Sequence, residues 1–206
     1  KVDVKEGYHN LPRKIVAFWR WFAKEDRAEF GMKIDDDVFP HLDIILPRLE
    51  GLRSARRSYT YAGDLFEGHR VLKWGKWAQD PAVYRKEFYP TYAAGPAYLL
   101  QRDLAKLVFK QHFYRHAKRI LDNEDTNVGV WVREEVSRGV PVNYIHLTCE
   151  EEGCAPGVYF SMNLPDNMLT CMWLKKAARM RDICCKKPSP RSSWKKRNMI
   201  APAEVK

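Results

Sequence analysis

Phe30-Gly31-Met32-Lys33-Ile34-Asp35-Asp36-Asp37-Val38-Phe39 is the stretch on which the reading of the fold turns. Its first half reads as a short strand over residues 29–34, and it ends in three adjacent carboxylates. Three negative charges side by side are unfavourable unless water solvates them or a cation gathers them. A solvated turn is the plain alternative, but acidic turns rarely sit between two apolar segments. Carboxylate oxygens are hard ligands suited to Mg²⁺ or Mn²⁺, which bind through few carboxylates, several waters and the phosphates of a substrate. The stretch therefore predicts a strand that delivers a metal-phosphate site.

Outward from it, Ile15, Phe18, Trp19 and Phe22 stand at helical spacing within Asn10 to Asp26, with Asn10 available as N-cap and Pro12 tolerated in the first turn. Downstream, a helix near Pro40 to Glu50 is expected to turn Leu42, Ile45, Leu46 and Leu49 inward, with Gly51 as its stop signal. Ser58 to Gly63 reads as a strand, and the loop through Pro81, rich in Trp, Gly and charge, is long enough to suggest function. Small residues from Ala93 to Ala97 imply that something approaches the backbone before a strand-like end at Tyr98-Leu99-Leu100. Helices follow at Asp103 to Arg119, with Leu104, Leu107 and Val108 on one face, and from Asn123 to about Ser137, ended by Gly139. Val140 to His146 reads as a strand and Asp166 to Arg181 as a helix. Strands alternating with helices define an α/β class, and no internal repeat is visible.

The chain has 206 residues, 45% hydrophobic and 13% aromatic, the composition of a folded protein with one good core. No run approaches the roughly 20 apolar residues of a membrane span. The opening Lys-Val-Asp-Val, with neither Met nor a signal-peptide pattern, leads to the expectation of a fragment of a larger protein. The net charge of +10 is concentrated from Lys175 onward, where eleven Lys and Arg face two acids. Residues 1–174 are close to neutral and read as the catalytic domain; residues 175–206 read as a basic tail too polar to fold. A nucleic-acid-binding role would rest on that tail alone. Cys149, Cys154, Cys171, Cys184 and Cys185 show no CxxC spacing, and Cys149 with Cys154 could close a small disulfide loop in an oxidising compartment. The odd count leaves at least one thiol unpaired.

Three places carry candidate chemistry: Asp35 to Asp37, Glu124-Asp125 at a helix start, and His146 at a strand end. Taken singly, Glu124-Asp125 is helix-dipole complementation and His146 an ordinary histidine. Together they make a plausible set of metal ligands and general base. A phosphatase or nuclease with clustered aspartates could use the same residues, provided Glu124-Asp125 supplied ligands for a second ion.

Four motifs in order resemble one family. Tyr8-His9-Asn10-Leu11-Pro12-Arg13-Lys14, Lys33 to Phe39, Tyr89-Pro90-Thr91-Tyr92-Ala93-Ala94-Gly95-Pro96-Ala97-Tyr98 and Glu124-Asp125-Thr126-Asn127-Val128-Gly129 look like the β-1,3-galactosyltransferase and N-acetylglucosaminyltransferase family, glycosyltransferase family 31, to which fringe enzymes are related. The likeness covers about residues 3–146. It implies a GT-A fold, a Rossmann-type mixed sheet flanked by helices, here lacking its N-terminal strands and part of the uridine pocket. It also implies inverting transfer of galactose or N-acetylglucosamine from a UDP-sugar to a hydroxyl of a glycan, glycoprotein or glycolipid, with Mn²⁺ or Mg²⁺. The expected setting is the Golgi lumen, with a membrane anchor upstream. An inactive fragment is the alternative that the missing strands imply.

Carried over by position, Asp35 and Asp37 match the DxD metal carboxylates and Asp125 the proposed base. Asp35, Asp36 and Lys33 are expected on the donor. Trp74, Trp77, Tyr92, Gly95 and Glu124 are expected on the acceptor side, and His146 falls where some relatives place a metal-binding histidine. Thr126 stands where the family has Val, and Ala97 where it has the second Gly of its turn.

Overall fold

A computed structural model describes residues 3–53, 59–111, 120–151, 157–180 and 183–185. The chain divides into two compact units, residues 1–164 and 165–206. In the first, a turn at Tyr8–Asn10 leads into α1 (Leu11–Phe22), followed by β1 (Phe30–Ile34), β2 (Phe39–Pro40), α2 (Leu42–Arg53), β3 (Tyr59–Phe66) and β4 (Tyr92–Gln101). Then come α3 (Arg102–Ala105), a π-helical stretch (Lys106–Gln111), α4 (Glu124–Ser137), β5 (Val142–His146), β6 (Cys149–Glu151) and β7 (Phe160–Met162). The architecture is mixed α/β: two mixed sheets with helices, in line with the expected class. One sheet runs β1-β4-β3-β5, antiparallel except for the parallel β3/β5 pair; the other runs β2-β7-β6.

α1 forms where Ile15, Val16, Trp19 and Phe22 recur at helical spacing, and that stripe is buried against Tyr61, Tyr98, Leu100 and Trp131. A second cluster, Val38, Ile45, Leu49, Ala62, Leu99 and Ile145, belongs to the other face of the sheet strands, since Tyr61/Ala62 and Tyr98/Leu99 alternate across the pleat. α2 departs from expectation in two ways. Ile45 and Leu49, four apart, form its buried stripe, while Leu46, a third of a turn away, is 52% exposed. The helix also runs through Gly51 to Arg53 instead of stopping there. The helix expected over Asp103 to Arg119 begins as α3 and changes to π-helical bonding after Ala105; the part of that expectation beyond Gln111 lies outside the described residues.

β4 is one continuous ten-residue strand at the centre of the sheet, although Pro96 has no N–H to give a ladder. The β3 register shifts between Gly63 and Leu65, opposite this segment, so the missing donor falls at an irregularity where a proline is tolerated. α4 crosses the start of β4 at very short range. A Cβ at Gly129 would stand 2.4 Å from Tyr92 Cβ and 2.9 Å from Thr91 O. Gly129→Ala is therefore expected to destabilise the fold by about 1–3 kcal/mol through overpacking. An unchanged denaturant midpoint would show that the helix can move away freely.

The second unit contains α5 (Asp166–Ala177), where a helix was expected; residue 174, the expected domain end, lies inside it. A disulfide joins Cys171 to Cys185, and Cys184 is also disulfide-bonded. Cys149 is a free thiol, so the small Cys149–Cys154 loop expected from spacing does not form. Its strand, β6, pairs Cys149 with Phe160 and leaves the side chain half-buried as a small hydrophobe. The expectation of a disordered basic tail falls mainly on residues 186–206, outside the described residues. Among the described residues no helix is long and apolar enough to cross a membrane.

Candidate active site

β1 places Lys33 on its buried face and the acidic turn just past its end, where the Asp35 N–H donates to Pro96 O at 2.9 Å. Antiparallel pairing sets Ile34 opposite Ala97, so β4 carries Gly95 past the same turn. From the other side α4 brings Glu124 and Asp125 in its first turn, where carboxylates complement the helix dipole. The backbone of Gly95 passes close to both carboxylates: a Cβ there would lie in ordinary contact, 3.4 Å from Asp125 Oδ2 and 3.6 Å from Glu124 Oε1.

The result is a cavity of about 560 Å³ lined by Lys33, Asp35, Asp37, Trp77, Tyr92, Gly95, Glu124 and Asp125, among others. Eight of the predicted site residues thus share one concavity. Asp36 is exposed in the turn and is not part of the lining; Trp74, 80% exposed, points to solvent. His146 is not brought there either. It ends β5, separated from β1 by β3 and β4, and its side chain is occupied locally: Nδ1 accepts from Leu65 N–H at 3.2 Å and Nε2 lies 3.7 Å from Asp64 Oδ1.

A buried polar network backs the cavity. Lys33 Nζ donates to Asp35 Oδ1 at 2.5 Å and to the Gly95 carbonyl, and lies 3.2 Å from Glu124 Oε1. Tyr98, fully buried and stacked on Trp19, donates its hydroxyl to Glu124 Oε2 at 2.7 Å. Glu124 is only 6% exposed, and burial pushes its carboxyl up to about 7 against the opposing pull of Lys33. Its Oε1 is buried beside Lys33 Nζ, an ion pair with no well-directed hydrogen bond to that oxygen among the described residues. For Lys33, burial works against the charge, yet Glu124 and Asp35 outweigh it and hold its pKa above the ordinary value.

Asp125 is fixed by backbone donors: Gly95 N–H to Oδ2 at 3.1 Å and Thr126 N–H to Oδ1 at 2.7 Å. Burial raises its pKa, with those hydrogen bonds and Lys33 opposing the rise. A carboxylate so oriented at a cavity wall has the chemistry of a general base.

Asp35 and Asp37 present hard oxygens to the same space. Among the described residues no group of three or more His, Cys, Asp or Glu has metal-binding geometry. A divalent ion here would therefore complete its shell with water and substrate phosphate, the usual habit of Mg²⁺ and similar ions, and the donor set fits that mode.

Sequence reasoning missed several lining residues. His69 holds Tyr92 through a 2.6 Å contact between Nδ1 and the hydroxyl, with Phe66 stacked against both rings. Asn163, which also lines the cavity, has a left-handed φ of 55°, a conformation in which Asn is enriched. The long loop after β3 is pinned to the start of α4 by paired hydrogen bonds between Gln79 and Asp122 and by Asn123 Nδ2 to Trp77 O at 3.0 Å. Its length was the available signal; its partners were not readable from sequence.

Residues 1–140 match the family described as Galactosyltransferase. A hydroxyproline O-galactosyltransferase of Arabidopsis thaliana is 31% identical over 185 residues, 89% of this chain and 27% of the relative. β-1,3-Galactosyltransferase 6 of Mus musculus is 33% identical over 132 residues, 63% of this chain and 38% of the relative. A UDP-GalNAc:β-1,3-N-acetylgalactosaminyltransferase of Xenopus tropicalis is 27% identical over 179 residues, 85% and 34% of the two chains. The chain belongs to the galactosyltransferase family. It spans about a quarter of the length of the plant relatives it matches.

Proposed function

We propose that this chain carries the catalytic centre of an inverting hexosyltransferase that moves galactose, or an N-acetylhexosamine, from a UDP-sugar to a hydroxyl of a glycan or glycoprotein acceptor, with β-1,3 linkage. The observation that carries the reading is the convergence of Asp35, Asp37 and Asp125 on one cavity. The relatives' names, galactosyltransferases and N-acetylgalactosaminyltransferases, support the sugar class. A Golgi lumenal setting is part of the same proposal.

In this reading Asp35 and Asp37 would hold Mn²⁺ or Mg²⁺ beside the donor diphosphate. The bound ion would supply Lewis acidity to the leaving group. Lys33 keeps Asp35 in place and neutralises part of the buried charge of Glu124. Asp125 accepts the proton of the acceptor hydroxyl as that oxygen attacks the anomeric carbon from the face opposite the departing UDP, and the centre inverts.

The two-metal hydrolase reading gains nothing from the geometry. It would need Glu124-Asp125 as extra ligands, but among the described residues no group of three or more His, Cys, Asp or Glu is placed to hold a metal ion. The test of the metal site is calorimetry of UDP with and without Mn²⁺. Asp37→Ala is expected to remove the metal-dependent part of the affinity, and an unchanged titration would exclude Asp37 as a ligand.

A further inference from the structure

Among the described residues five carboxylates line the cavity, Asp35, Asp37, Asp122, Glu124 and Asp125, so a diphosphate entering it needs positive charge beyond that of a single ion. Among the described residues, three Lys and Arg side chains line it: Lys33, Arg70 and Lys76. Lys33 is buried and committed to Asp35 and Glu124, and Arg70 Nη2 lies 2.6 Å from Glu87 Oε1. Lys76 differs. Among the described residues no carboxylate pairs with it; its Nζ rests 5.2 Å from the ring centroid of Tyr8 and 5.1 Å from that of Trp77. Both rings also line the cavity, and both are more than half exposed. Exposed ring faces hold an ammonium weakly, whereas a phosphate oxygen binds it through a stronger, charge-assisted hydrogen bond.

We propose that Lys76 is a diphosphate-binding residue of the sugar-nucleotide site. It rests between Tyr8 and Trp77 when the cavity lacks an anion, and turns to the phosphates when the donor enters. The assignment deepens the UDP-sugar reading and rests on it. A consequence is that donor binding takes the cation away from the Trp77 ring.

The test is calorimetric titration of the full-length protein with UDP and with pyrophosphate, both in the presence of Mn²⁺, using wild type, Lys76→Met and Lys76→Arg. Lys76 is exposed, so Met keeps the apolar stem without threatening the fold. Lys76→Met is expected to weaken both ligands by about 10- to 100-fold, the usual worth of a hydrogen bond to a charged group, and Arg to restore most of it. UDP binding unchanged in Lys76→Met overturns the assignment and leaves the UDP-sugar reading standing. Wild type that binds pyrophosphate in a Lys76-dependent way but ignores UDP supports the residue and overturns the donor. Binding of neither ligand overturns both.

Discussion

Asp125→Asn in the full-length protein is expected to keep sugar-nucleotide binding while lowering transfer by about 10²- to 10⁴-fold, the usual contribution of a general base. The substitution preserves shape, so the lost function is specific to the carboxylate. In the native site both Asp125 oxygens accept backbone N–H groups, from Gly95 and Thr126. An amide can accept at only one of the two positions and presents a donor to the other N–H. Some loss of stability therefore accompanies the loss of rate, and single-turnover measurements at saturating donor separate the two. Turnover at the native level would remove the base assignment and leave the metal site untouched.

Lys33→Met is expected to be the most destabilising single change in the site, at about 3–5 kcal/mol, because it leaves the buried Glu124 without its cation. Its pH dependence gives a second check. Burial raises the folded-state pKa of Glu124 from 4.5 to about 7, so the folded protein holds a proton that the unfolded chain releases across that window. The stability contributed by the protonated form is fully present below the lower value and is lost as pH rises toward the upper one. Lys33, with its pKa raised, contributes stability that is lost only as pH climbs past its ordinary value of 10.5. Without Lys33 the Glu124 pKa climbs further. The variant should thus lie closer to wild type at acid pH than above neutrality in urea denaturation. A deficit equal at both ends would mean that Glu124 does not feel Lys33.

How legible this was in the chain depends on the distance between partners. α1 was readable because Ile15, Trp19 and Phe22 repeat at the helical period, and β1 because Asp35 to Asp37 punctuate its end. The start of α4 was readable from Asn123-Glu124-Asp125, and its end from Gly139, whose φ of 91° suits glycine. The outward turn of Leu46 was not, since a helix with apolar residues on more than one face does not reveal which face meets the core. The π-helical stretch after Ala105 leaves no mark in composition.

The site divides in the same way. Asp35, Asp37 and Asp125 each sit in a local motif, and the cavity holds all three. Lys33 and Glu124 meet across ninety-one residues of sequence, and no local pattern announces that pair. His146 is the converse case. The strand end was foreseen, but strand order, which sets two strands between β5 and β1, is decided by pairing that one sequence does not display, and His146 is not in the cavity lining.

Tyr98 belongs at once to the core and to the site: its ring stacks on Trp19 while its hydroxyl steadies Glu124. Natural drift and deliberate redesign face the same restriction there. A more stable interior found by exchanging Tyr98 for Phe or Leu would be gained at the expense of the carboxylate it orients, so the hydrophobic centre of this protein cannot evolve independently of its chemistry.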